Sequence, residues 1–165
     1  LFLADTAMNV DPSAEDLVKI TEASVDLVAR FGIEPKVALL SHSNFGTSNA
    51  GSAKKMRTAS ELLRKKYPEL QIDGEMHVLS ALNPALRDTI YSQANLEGRA
   101  NVLVMPSLDS ANIAMGLIRS LTDALLIGPF INGFRKPAHI VIPSVSSRGI
   151  FNMTALTVAD IHAAK

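Results

Sequence analysis

Hydroxyl, amide and basic side chains crowd one short stretch, Leu40-Ser41-His42-Ser43-Asn44-Phe45-Gly46-Thr47-Ser48-Asn49-Ala50-Gly51-Ser52-Ala53-Lys54-Lys55. It follows an apolar run and leads into a helical pattern, a place where α/β proteins hold phosphate groups. Backbone N–H groups at a helix start suit an anion, and the hydroxyls of Ser41, Ser43, Thr47, Ser48 and Ser52 stand beside them. Asn44 and Gly46 complete the loop, while Lys54, Lys55 and Arg57 add positive charge within the first helical turns. The spacing from Gly46 to Gly51 is that of a nucleotide P-loop start. Ser52, however, stands where a lysine must reach the β- and γ-phosphates, which excludes an NTPase of that kind. The same residues also suit an ordinary strand-to-helix connection with capping hydroxyls.

Two further loops carry polar groups. Pro106-Ser107-Leu108-Asp109-Ser110-Ala111-Asn112-Ile113 joins an apolar run to a helical pattern. Its Asp109 and Asn112 can bond a ligand or cap the helix. Gly128-Pro129-Phe130-Ile131-Asn132-Gly133 offers glycines that let backbone approach a ligand, or simply make turns. His42, His77, His139 and His162 are widely spread, and none has a partner at metal-ligand helical spacing. Ser41 or Ser43, His42 and Asp5 compose a nucleophilic triad on paper, without a nucleophile elbow to support it. The methionines read as core filler.

The elements that must position these loops alternate. Strands are expected at 1–6, 36–41, 70–74, 101–105, 123–128 and 139–142. The first helix follows Pro12-Ser13, with Ser13 as N-cap, Asp16 at N3 and Gly32 at the C-terminal end. Others are expected at 52–66, 84–93, 107–121 and 147–162. Strand–helix alternation predicts an α/β fold: a three-layer, open, mostly parallel sheet with helices on both faces. The loops after Ser41, Met105 and Gly128 should then meet in one crevice beyond the strands' carboxyl ends.

Of the 165 residues 47% are hydrophobic, and 16 basic residues balance 16 acidic ones. That balance gives no footprint for nucleic acid or an anionic membrane. Cysteine is absent, which excludes disulfides, thiolate catalysis and cysteine-ligated zinc. With no bilayer-length apolar run and no signal peptide, a cytoplasmic location is the default expectation. The chain opens inside a strand-like run without a Met, which reads as a piece of a longer protein.

A series of motifs resembles the phosphate acetyl- and butyryltransferase family. They are Leu3-Ala4-Asp5-Thr6-Ala7-Met8-Asn9, the run from Phe31-Gly32-Ile33-Glu34-Pro35 to Ser41, the loop that follows it, Asp73-Gly74, Met105 to Ile113, Gly128-Pro129 and Lys136-Pro137. Residues 31–46 and Phe151-Asn152-Met153-Thr154-Ala155-Leu156-Thr157 look most like the phosphotransacetylase-like domain at the C-terminus of hybrid malic enzymes. Those enzymes oxidatively decarboxylate malate to pyruvate with NAD(P). The resemblance implies an α/β lobe over 1–137, and a strand and helix over 138–165 that return to a second lobe. It also implies a homodimer or higher homo-oligomer. It places NAD(P) and a divalent metal in the malic enzyme part and no cofactor in this one.

Active relatives carry a Ser and an Arg after the Lys-Pro that matches Lys136-Pro137. Counted without gaps, those places are Ile142 and Pro143, and a later family Asp falls at Gly149. Isoleucine and proline offer no side-chain proton acceptor, donor or charge. The resemblance therefore implies a regulatory domain that senses acetyl-CoA or another acyl-CoA or acyl phosphate, with no catalytic residue of its own. Two alternatives stand beside it. One is an active transacetylase using Ser147-Arg148, and the other is a structural module that sets the oligomer.

Overall fold

Strands that are apolar on both sides need cover on both faces. In the computed structural model, which describes residues 1–132, 134, 136–141 and 145–163, β1 (Phe2–Ala4), β2 (Lys36–Leu40), β3 (Gln71–Met76) and β4 (Val102–Val104) form a parallel sheet in the order β1-β4-β2-β3. The helices are α1 (Ala14–Arg30), α2 (Gly51–Lys66), α3 (Val78–Leu82), α4 (Pro84–Ile90), α5 (Leu108–Leu121) and α6 (Ser147–Ala163). The expected mostly parallel α/β architecture is the one observed.

Alternate strand residues divide between two cores. Val37, Leu39, Ile72, Val102 and Val104 pack with Leu17 and Val28 of α1 and with Met56, Ala59 and Leu63 of α2. Ala38, Leu40, Leu103, Met105 and Met76 face the other way, onto Ala81 of α3, Leu96, Ala100 and Ala111 of α5. Right-handed crossovers explain this division. The chain moves in one direction from β1 through β2 to β3, with α1 and α2 on one face, then reverses to insert β4. A right-handed return in the opposite direction must use the opposite face.

Local signals set the helix ends. Ser13 Oγ accepts from Asp16 N–H at 3.1 Å, and Asp16 Oδ2 accepts from Ser13 N–H at 3.3 Å, the expected reciprocal cap. Gly32 follows the C-cap Phe31 with φ +69°, a conformation that glycine adopts freely. The helix expected over 84–93 is α4, ending at Ile90, and a short helix that the sequence did not announce, α3, precedes it. Pro84 lacks an N–H and holds Asn83 outside helical geometry, and the Asn83 side chain accepts from Leu86 N–H at 3.2 Å to start α4.

The Asp73-Gly74 pair has two structural tasks. Buried Asp73 accepts from Leu96 N–H at 2.7 Å and so anchors the segment leading into β4. Burial raises its pKa above the ordinary value, against the opposing pull of that bond and of Arg64. Gly74 lies against β2 with φ +153°, and a Cβ there would stand 2.7 Å from Leu39 Cβ and 2.8 Å from Leu39 O.

Contacts divide the chain into two units, Leu1–Met115 and Gly116–Lys165. The sheet belongs to the first. In the second, Ile131 and Met153 are buried, the Phe130 ring meets His139 edge-on at 5.8 Å, and His139 Nε2 lies 3.8 Å from Asp160 Oδ2. The strands expected at 123–128 and 139–142 are not formed: residues 123–128 and 139–141 are coil, and 142 lies outside the described residues. A strand exists only through ladder partners. Among the described residues nothing pairs with these stretches, and Pro129 and Pro137, which follow the first and precede the second, lack an N–H to donate.

Gly74→Ala forces β2 and β3 apart. It should lower stability by about 3 kcal/mol, read from the midpoint of urea unfolding.

Candidate functional site

A bulge organises the carboxyl end of the sheet. Leu39 pairs with Gly74 but Leu40 pairs with Met76, so Glu75 is an extra residue in β3. Its backbone carbonyl accepts from Phe45 N–H at 2.8 Å. Its side chain is 0% exposed and lies inside the loop 41–50. There Oε1 accepts from Ser43 Oγ at 2.7 Å, from Gly46 N–H at 2.9 Å and from Arg57 Nη2 at 2.8 Å, while Oε2 accepts from Arg57 Nε at 2.9 Å. Arg57 Nη2 also donates to Ser48 O at 2.8 Å. Burial alone would push the Glu75 carboxyl upward. The bonds from Arg57, Ser43 and Gly46 outweigh it and lower the pKa to about 2.

The remaining loop groups bond among themselves. Ser43 Oγ accepts from Ser48 N–H at 3.0 Å and meets Thr47 Oγ1 at 3.1 Å, while Ser41 Oγ accepts from Ser43 N–H at 3.2 Å. Asn44 Oδ1 accepts from His77 N–H at 2.8 Å and from Ser80 Oγ at 3.1 Å, tying the loop to the start of α3. Phe45 and Gly46 both have positive φ, 45° and 93°, which turns the Gly46 N–H onto Glu75. Ala50, the N-cap of α2, supplies no side-chain cap, and Ser52 and Lys54 are exposed beside it.

A second group adjoins the first. Lys55 Nζ donates to Asp11 Oδ1 at 2.6 Å and to Pro106 O at 2.9 Å, so it links α2 to the loops after β1 and β4. Asn112 Nδ2 donates to Thr6 O at 3.2 Å and to Leu108 O at 3.0 Å; Asp109 is exposed on the first turn of α5. The loops after Ser41 and Met105 thus lie at one end of the sheet. The loop after Gly128 belongs to the second unit.

The paper triad is not assembled. His42 Nε2 lies 3.2 Å from Ser48 Oγ. Asp5 accepts from the N–H groups of Ala7, Met8 and Asn9 and from Asn9 Nδ2. Burial opposes these bonds, but together they hold its carboxyl below the ordinary value. Ile142 and Pro143, the places of the expected Ser and Arg, lie outside the described residues. Among the described residues, no group of three or more His, Asp or Glu could hold a metal ion, and no helix is long and apolar enough to cross a membrane.

Glu75 is the residue that the sequence candidates lack. A glutamate one place after Asp-Gly looks like a solvated strand end, and only the register between β2 and β3 turns it inward. Nothing local pairs it with Arg57, whose nearest acid along the chain is Glu61, one turn further on in α2.

This arrangement can be set beside known proteins. The family model described as phosphate acetyl/butaryl transferase matches residues 1–158, and the chain belongs to that family. It is 47% identical over 159 residues to an NAD-dependent malic enzyme of Rhizobium meliloti (strain 1021), covering 96% of this chain and 21% of that protein. It is 49% identical over 160 residues to an NADP-dependent malic enzyme of Escherichia coli (strain K12), again covering 96% of this chain and 21% of that protein. A phosphotransacetylase from Streptococcus pyogenes superposes with a TM-score of 0.90 at 32% identity, covering 98% of this chain and 49% of that one. The chain thus resembles the phosphotransacetylase-like part of malic enzymes and spans about a fifth of their length.

Glu75 titrates at about 2 against an ordinary 4.5. Its stabilisation is therefore complete above about pH 4.5 and drains away as pH falls toward about 2. Arg57→Met leaves the buried carboxylate without its cation. The variant should be clearly less stable than the parent in urea unfolding at about pH 7, with the gap narrowing at about pH 3.

Proposed function

We propose that this chain is a non-catalytic regulatory and oligomerising domain of a malic enzyme, and that the loop 41–50 with the start of α2 binds an acyl-CoA or acyl phosphate, acetyl-CoA foremost. One observation carries the reading: Arg57, the cation of the loop, is committed to Glu75. Acyl transfer from phosphate to a thiol needs a base and positive charge free to meet the transferring group. Arg57 is neutralised, His42 bonds Ser48, and Asp5 holds its own turn. Ile142 and Pro143 stand at the positions where the family resemblance expects Ser and Arg. Exposed Ser52 and Lys54 suit binding of an anion without reaction.

Regulation needs only an effector that binds two states of the enzyme with different affinity. The NAD(P) and divalent metal of oxidative decarboxylation belong to the malic enzyme portion of a cytoplasmic protein. Self-association into a homodimer or larger homo-oligomer is supported by apolar side chains left in solvent in the second unit, among them Leu121 at 77% exposure and Phe151 at 72%. A second reading, an active phosphate acetyltransferase, is favoured by Ser147 and Arg148, both exposed on the first turn of α6.

Calorimetric titration of the full-length protein with acetyl-CoA should give binding heat, and acetyl-CoA should change the KM or kcat for malate about fivefold or more. No heat together with no kinetic change refutes the effector reading. Formation of acetyl-CoA from acetyl phosphate, abolished by Arg148→Ala, would establish the second reading instead.

A further inference from the structure

The loop 41–50 contains an anion of its own. Ser43 Oγ, Gly46 N–H and two guanidinium nitrogens of Arg57 are the donors a phosphate would attract, and they converge on one carboxylate at 2.7 to 2.9 Å. That carboxylate arrives from a different strand, through the bulge that makes Glu75 the extra residue of β3. Its enclosure is complete, at 0% exposure, while the Arg57 side chain keeps 27%. We propose that Glu75 is the positioning residue of this loop: its carboxylate occupies the place among Ser43, Gly46 and Arg57 that a bound anion would otherwise take. The loop is consequently set before any ligand arrives, and no second anion enters that ring of donors. The role assigned to Glu75 in ligand binding rests on the effector reading above; its role in ordering the loop does not.

Two features separate positioning from general support of the fold. The donors lie on the loop and on the second turn of α2, outside the two apolar clusters that hold the sheet. Phe45 and Gly46 hold left-handed conformations whose product is the Gly46 N–H aimed at Oε1. Without an acceptor at that point the Gly46 N–H loses its partner, and the turn keeps only the Phe45 N–H bond to the Glu75 carbonyl, the Thr47 N–H bond to Asn44 O and the Phe45 ring stacked on Tyr91. An external carboxylate small enough to enter should then replace the missing one.

The test uses the full-length protein, the variants Glu75→Gln and Glu75→Ala, and hydrogen exchange read on the peptide spanning 41–50. Glutamine keeps an acceptor for Ser43 and Gly46 but turns an amide toward Arg57. It should speed exchange in that peptide about tenfold more than in peptides from β2 and β4, whose change reports only the loss of global stability. In Glu75→Ala, added formate should slow the loop's exchange back toward the parent value, and it should leave the parent unchanged. Unchanged loop exchange in both variants would overturn the proposal, as would a mobilised loop in Glu75→Ala that formate does not restore. If Glu75→Ala fails to fold, the Glu75→Gln exchange decides. Acetyl-CoA titration is read separately. A parent protein that binds none defeats the effector reading and leaves the exchange result standing. A parent that binds should weaken about tenfold in Glu75→Gln.

Discussion

A buried carboxylate needs a cation and enough donors to replace the water it has lost. The pair between Glu75 and Arg57 meets that demand and, in doing so, shapes the end of the sheet. Arg57 comes from α2 and Glu75 from β3, so the pair locks a helix to the strand that follows it. Ser43 and Gly46 bring the loop that precedes α2 onto Oε1 of the same carboxylate. One electrostatic constraint therefore joins strand, loop and helix where ligands sit in parallel sheets. It also orients the loop's charge, since Nε and Nη2 of Arg57 are turned onto Glu75 while the side chain keeps 27% exposure.

The sheet makes that constraint possible. Both faces of β2 are apolar and covered, so its register with β3 is specified by packing on two sides. Gly74 permits the close approach to Leu39 just before the bulge, and Asp73 holds the segment that feeds β4 between β1 and β2. Lys55 adds a tie from α2 to the loops after β1 and β4. The residues Asp73, Gly74 and Glu75 thus set the return of the chain, the spacing of two strands and the conformation of the loop, in that order.

Much of this framework was legible in the sequence. The apolar run Val37-Ala38-Leu39-Leu40 announced a strand covered on both faces, and Ser13 with Asp16 announced the start of α1. The polar loop after Ser41 stood out by composition. Its internal wiring did not, because the partner of Ser43 lies 32 residues away, that of Gly46 29 and that of Arg57 18. The apolar stretch at 123–128 misled in the opposite sense: it has strand composition, yet strand formation depends on a neighbour that composition does not report.

The first helix with its cap, strands β1 to β4 and the polarity of each loop were determined by the sequence alone, because they arise from forces acting within a turn or two of chain. Which helices share a face needed the strand order β1-β4-β2-β3 as well, since a right-handed crossover fixes the face only once the direction of the step is known. Tertiary structure alone decided that Glu75 points inward, that Arg57 is spent on it, and that His42 and Asp5 never meet. Those outcomes turn on a one-residue bulge between β2 and β3, and in a strand one residue exchanges the side chain that faces the loop for the one that faces away.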